Sequence, residues 1–127
     1  MQSLSFKSTN TILYCEKWQE TLAFYKDILK LPINFSTGWF AEFKLTDTAN
    51  LSIADESKAS LKSNRGAGIT LTFQVEDINE IRQILHDIGS TPGPIKEHAW
   101  GAQVFYLFDP EGHRLEFWSQ TDSTSRR

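Results

Sequence analysis

The residues from Trp100 to Trp118 read Trp-Gly-Ala-Gln-Val-Phe-Tyr-Leu-Phe-Asp-Pro-Glu-Gly-His-Arg-Leu-Glu-Phe-Trp. Two runs of strand length, 103–108 and 114–118, are rich in aromatic and aliphatic residues, and Asp109-Pro110-Glu111-Gly112 joins them. Pro110 presets a turn φ and Gly112 tolerates a positive one, so the joint predicts a tight β-turn between antiparallel strands. Side chains alternate between the two faces of a strand. Arg114, Glu116 and Trp118 therefore share one face, and Leu115 and Phe117 the other. The second face suits a core. The first sets a carboxylate between a cation and an indole on a surface expected to be concave and partly solvated. Glu116 is there either as a group that meets a ligand or as half of an ion pair.

Upstream, residues 70–75 alternate Thr70, Thr72 and Gln74 with Leu71, Phe73 and Val75, a strand with one polar face. Asp77 with Glu80 three positions on marks a helix start, and Gly89 suits its end, so a helix is predicted over 78–88 with Ile78, Ile81, Leu85 and Ile88 inward. A Gly- and Pro-punctuated segment, 91–95, precedes the two strands already described. The first half reads the same way. A strand at 10–15 is followed by a helix at 17–29, with Trp18, Leu22, Tyr25 and Leu29 on one face and Pro32 as its stop. Three short strands, 33–36, 39–45 and 50–54, complete it. Laying Thr70 on Asn10 matches Leu13 with Phe73, Cys15 with Val75, Trp18 with Ile78, Phe24 with Ile84, Tyr25 with Leu85 and Ile28 with Ile88. Recurrence at a fixed offset is the mark of an internal repeat. The expectation is an α+β fold, two tandem βαβββ units whose curved mixed sheets enclose a cleft, within a single domain over 1–127. Unit one covers about 9–54, a polar linker 55–66, unit two about 67–119, and 120–127 form a disordered tail.

A chain of 127 residues can bury a core without metals or disulfides. Nine Phe, four Trp and three Tyr supply enough aromatic surface for both a core and a pocket. The formal charge of −3 leaves no basic stripe to track phosphates, so no nucleic-acid partner is expected. The one cysteine, Cys15, lies on the helix-facing parity of its strand and reads as an inert buried thiol in a reducing compartment. No leader and no membrane-spanning run is legible, so the chain is read as cytoplasmic, with no membrane partner.

Thr21-x-x-Phe24-Tyr25, Val75-x-Asp77, Trp100-Gly101, Asp109-Pro110-Glu111-Gly112-His113 and Leu115-Glu116-Phe117, set in two βαβββ units, resemble the glyoxalase/bleomycin-resistance/extradiol-dioxygenase, or vicinal oxygen chelate, superfamily. The resemblance spans about 10–119 and implies the fold more sharply than the function, because that fold hosts lyases, dioxygenases and non-catalytic drug-binding proteins. It also implies a homodimer.

The resemblance implies, for metal-dependent members, ligands on the first and last strands of each unit. The matched positions are Asn10, Ser52, Thr70 and Glu116, of which only Glu116 is of the usual type. Zn, Ni and Fe favour imidazole and anionic oxygen, so no cofactor is expected; the alternative is a divalent metal held weakly through Glu116. His86 reads as solvated, His113 as a surface turn residue, and His98 as a loop residue that could wall a pocket or donate a proton. Trp39, Trp100 and Trp118 could wall a pocket for a planar ligand. The expected ligand-binding set is Asn10, Tyr14, Trp39, Ser52, Thr70, Gln74, His98, Trp100, Glu116 and Trp118. Leu29-Lys30-Leu31 stands where family members often carry Leu-Gly-Leu, so the first helix is expected to close without a left-handed residue. The leading expectation is a non-metal protein that sequesters a small aromatic or cationic molecule. The enzymatic alternative is a divergent lyase or dioxygenase using a metal or Glu116 as general base.

Overall fold

The computed structural model describes residues 3–121 as two compact units that divide between Arg65 and Gly66. In the first, β1 (Thr9–Cys15), α1 (Trp18–Ala23), β2 (Ile33–Ser36), β3 (Phe40–Thr46) and β4 (Ala49–Asp55) give a four-stranded sheet of order β1-β4-β3-β2. In the second, β5 (Thr70–Gln74), α2 (Ile78–Asp87), β6 (Lys96–His98), β7 (Ala102–Phe108) and β8 (Arg114–Gln120) repeat it with the order β5-β8-β7-β6. The first strand of each unit pairs in parallel with the last, and the remaining pairs are antiparallel. Each unit is thus a mixed sheet built by one βαβββ passage, as the repeated pattern predicts. The repeat holds at the level of register. Ile12 opposite Ser52 in the first unit recurs as Thr72 opposite Glu116, and Glu42 opposite Ser52 recurs as Tyr106 opposite Glu116.

Each helix covers the apolar face of its own sheet. In unit one, Leu13, Cys15, Ala41, Phe43, Leu51 and Ile53 are buried with Trp18, Thr21, Phe24 and Tyr25 of the helical segment. Tyr25 meets Phe24 edge-on at 5.0 Å and Phe43 at 6.0 Å between ring centroids. In unit two, Phe117 stacks on Phe105 at 5.1 Å and meets Phe73 at 5.5 Å, beside buried Leu107, Leu115, Ile78 and Leu85. Removing an aromatic side chain of this size from water contributes about 2–3 kcal/mol, so these clusters fix which face of each sheet is covered.

The two helices close differently. Asp77 caps α2 by accepting the Glu80 N–H at 3.1 Å, and Gly89 takes φ 98° beyond its end, as the motif predicts. Ile88, expected on the core face, is half exposed because α2 ends at Asp87. The first helix departs further. Instead of one α-helix to 29, α1 stops at Ala23 and the chain widens into a π-turn over Phe24–Ile28, with the Leu29 N–H donating to the Phe24 carbonyl at 3.0 Å. Thr21 and Phe24 are buried while Leu22 and Leu29 are only half-buried, Leu29 because the extra residue in that turn shifts it off the stripe. Lys30 then takes φ 55°, correcting the expectation of a closure without a left-handed residue. The Leu31 N–H reaches back to the Tyr25 carbonyl at 3.1 Å, and that bond holds the lysine where glycine is the ordinary choice.

The connection after β4 is exposed for most of its length but locally ordered. A 3-10 turn over Glu56–Lys58 is capped by Asp55, and the Glu56 carboxylate accepts the Ser63 N–H at 2.9 Å. Gln120, assigned to a tail, is instead the last residue of β8 and pairs with Ala102, while the Thr121 N–H donates to Gly101 O at 3.0 Å. The rest of the expected tail, 122–127, lies outside the described residues.

Candidate functional site

The turn that joins β7 to β8 is the most tightly bound polar structure in unit two. Asp109 Oδ1 accepts the N–H groups of Glu111, Gly112 and His113 at 3.0, 2.9 and 2.9 Å, and its Oδ2 lies 2.9 Å from His113 Nδ1. His113 is 2 % exposed, so the surface position expected from its place after a turn glycine is wrong. The carboxylate gathers the loop around itself, and the imidazole is drawn in as its partner. Gly66, at φ 80°, lies against this loop so closely that a Cβ there would stand 2.2 Å from Gly112 O.

This turn fixes the start of β8 and with it the polar face of the second sheet. Register places Thr70 opposite Arg114, Thr72 opposite Glu116, Tyr106 opposite Glu116, and Gln74 and Val104 opposite Trp118. The Thr72 hydroxyl donates to Glu116 Oε1, and the Tyr106 hydroxyl to Oε2 at 3.4 Å. Arg114 does not pair with Glu116. Its Nε donates to Thr70 Oγ1 at 3.0 Å and its guanidinium lies over the Tyr106 ring, 4.5 Å from the centroid. The ion pair weighed for Glu116 and Arg114 is therefore not formed. Glu116 pairs with hydroxyls instead, and Thr72 and Tyr106 are members of the site that sequence reasoning passed over. Strand parity could have supplied both.

Toward the other end of the face, Trp118 is 8 % exposed and packs with Ala102, Val104 and Tyr106. Trp100 meets it edge-on at 5.4 Å. Trp100 is carried there by a three-residue hairpin between β6 and β7, in which the Gly101 N–H returns to His98 O at 3.1 Å and Gly101 takes φ 85°. His98, expected in a loop, ends the exposed strand β6, with its ring 6.2 Å from that of Trp100. Gln74 is exposed on β5. An open pocket of ≈ 420 Å³ occupies the opposite side of this sheet at the start of α2, lined by Glu76, Asp77, Glu97, Gln103 and Ser119 among others, and it contains none of the expected residues.

In unit one, Ser52 is fully buried and its hydroxyl donates to Asn10 Oδ1 at 2.8 Å. Tyr14 lies two strand positions beyond Ile12 on the same face of β1. Asn34, which sequence reasoning also missed, donates through Nδ2 to Glu42 Oε2 at 3.0 Å and to Asn50 Oδ1 at 3.1 Å. Trp39 precedes β3 half exposed and meets Phe40 at 5.8 Å.

These positions can be tested against a divalent metal unit by unit. Asn10 and Ser52 offer an amide and a hydroxyl already bonded to each other. In unit two, the Thr70 hydroxyl accepts from Arg114, and Glu116 takes two hydroxyl donors. Neither pair has the converging imidazole or second anionic oxygen that a transition ion selects, so the residues do not fit the metal that the resemblance implies. Among the described residues no three His, Cys, Asp or Glu side chains cluster as a metal site.

The family model of the glyoxalase-like domain matches residues 8–121, and the chain belongs to that family. An uncharacterized protein of Bacillus subtilis (strain 168), YraH, is 28% identical over 120 residues, covering 84% of this chain and 92% of its own. A Nocardioides protein described as a glyoxalase/bleomycin resistance protein/dioxygenase superposes with a TM-score of 0.80 at 15% identity, covering 100% of this chain and 91% of that one. Lactoylglutathione lyase from Agrobacterium tumefaciens gives 0.72 at 21% identity, with 93% and 94% covered. At such identities the two structures establish the shared fold, while their names run from a lyase to a bleomycin resistance protein or dioxygenase. No helix among the described residues is long and apolar enough to cross a membrane.

Proposed function

We propose that this chain is a small-molecule-binding protein of the glyoxalase/bleomycin-resistance type that works without a metal and takes up a small aromatic ligand. One observation carries the reading: the positions matched to metal ligands are taken up by protein partners, Ser52 with Asn10, Thr70 with Arg114 and Glu116 with Thr72 and Tyr106, while the same face of the second sheet sets the Trp100–Trp118 pair beside the Glu116 cluster. A planar ligand laid against the indoles would gain stacking and apolar burial, with the hydroxyl and carboxylate groups setting its orientation. The working unit is a homodimer, as the resemblance implies, and buried Cys15 is compatible with a reducing cytoplasm. Elemental analysis after incubation with Ni, Zn, Mn or Fe(II) and desalting should find no stoichiometric metal. Retention of one equivalent would overturn the reading and favour a lyase or dioxygenase. Light scattering on a sizing column tests the dimer.

A further inference from the structure

Arg114 is held in place on this face yet forms no ion pair among the described residues. Thr70 anchors its Nε at 3.0 Å and the Tyr106 ring lies under its plane at 4.5 Å. Glu116, two residues along the same strand face, is bonded to Thr72 and Tyr106 instead. Among the described residues neither Nη group of Arg114 has a protein partner, and the side chain is exposed. A guanidinium fixed at Nε and on one face presents its remaining N–H donors as a preset fork, the geometry that carboxylates and phosphates accept. Little rotamer freedom remains to be lost when an anion arrives.

We infer that Arg114 is an anion-anchoring residue and that the ligand of this site is an aromatic molecule bearing a carboxylate or phosphate. The inference rests on the binding reading above and adds the charge of the ligand. Folding over Tyr106 brings the guanidinium back to the level of Glu116, because Tyr106 and Glu116 are register partners. Trp118 lies two residues further along β8, about 7 Å at the rise of a strand. The anion and the ring are therefore separated by roughly the length of an arylacetate. Glu116 sharpens the selection: its charge repels a carboxylate placed off the fork, so only an anion seated on Arg114 escapes that repulsion.

The test uses three probes of one shape, phenylacetate, phenylacetamide and phenethylammonium, titrated into the full chain while the tryptophan indole N–H signals are followed by NMR. Phenylacetate should shift the Trp100 and Trp118 signals at lower concentration than either of the others. Arg114→Gln should weaken phenylacetate roughly tenfold or more, the scale of a lost charge-assisted pair, while leaving phenylacetamide unchanged. Arg114→Lys should recover part of the preference, and added salt should erode it. Equal or tighter binding of the amide or the ammonium, unaffected by Arg114→Gln, would sink the inference and leave the binding reading standing. Failure of all three probes to move either indole signal would sink both. An unchanged spectrum of the unliganded Arg114→Gln variant shows that it is folded.

Discussion

The hairpin from Glu42 to Ser52 and the hairpin from Tyr106 to Glu116 occupy the same place in the two units, with equal chain length between register-paired ends. They are closed by opposite means. In the first, pairing continues to Thr46 and Ala49, and the turn residue Asp47 stands with its side chain 94% exposed, tied to Lys44 at 3.1 Å. In the second, pairing stops at Phe108 and Arg114, and the five intervening residues fold in around buried Asp109 and His113. The faces differ as well: unit one carries its carboxylate, Glu42, on the third strand opposite Ser52, and unit two carries Glu116 on the fourth opposite Tyr106. One backbone plan thus supports two chemistries. The unit with the internally braced turn is also the one whose polar face holds an arginine in place.

The sharpest way to break this comparison is at the two turn aspartates. Asp109→Ala leaves three backbone N–H groups and an imidazole without their acceptor, and should cost about 3–5 kcal/mol in urea unfolding. Asp47→Ala removes an exposed pair and should change stability by less than about 0.5 kcal/mol. Similar losses would mean that the two turns are not built differently. Next comes Gly66→Ala, where a Cβ would meet Gly112 backbone at 2.2 Å and φ is 80°. A loss of about 3 kcal/mol is expected, against almost none for Gly38→Ala in unit one, which has open space around it. A matching midpoint for the two alanine variants would refute the close approach.

Smaller effects separate the helix ends. Lys30→Gly should stabilise by about 1 kcal/mol, since Lys30 holds φ 55°, whereas Gly89→Ala at φ 98° should destabilise by about the same amount. Melting temperatures that move in the same direction for both would contradict the assigned closures. The smallest effect belongs to Asp55, whose carboxyl is held below its ordinary 3.8 first by the Ser57 N–H and then by the Ser57 hydroxyl. A depressed folded-state value means that the contribution is complete above 3.8 and fades as pH falls through the lower folded value. Asp55→Asn should therefore differ from the parent in unfolding midpoint at pH 6, and the difference should shrink as pH falls below 3.8. A difference that persists unchanged at pH 2 would remove the ionised carboxylate from the account.

The repeat was legible because it rests on local periods. Alternation at 70–75 and 114–118, the Asp77 cap and the punctuation at Gly89 all act within a few residues, and each is where the pattern placed it. The misreadings have a common origin in particular bonds that neither period nor residue type specifies. Leu29 fits a helical stripe until its N–H bonds to Phe24 and widens the turn. His113 follows a glycine as surface residues do, and only the Asp109 carboxylate draws it inside. His98 looked like loop until β7 supplied the partner that made Lys96–His98 a strand.

The same division holds for the site. Sequence alone determined that Arg114, Glu116 and Trp118 share a face, because a strand has a period of two wherever it is placed. It also determined that Asn10, Ser52 and Thr70 cannot act as imidazole or carboxylate ligands, because donor chemistry belongs to the residue type. Which polar group satisfies which was decided by tertiary structure. Thr70 meets Arg114 and Thr72 meets Glu116 because β5 and β8 pair in one parallel register, and a shift of one residue would turn these side chains to the other face. That pairing leaves Glu116 with its partners and Arg114 held in position to receive an anion.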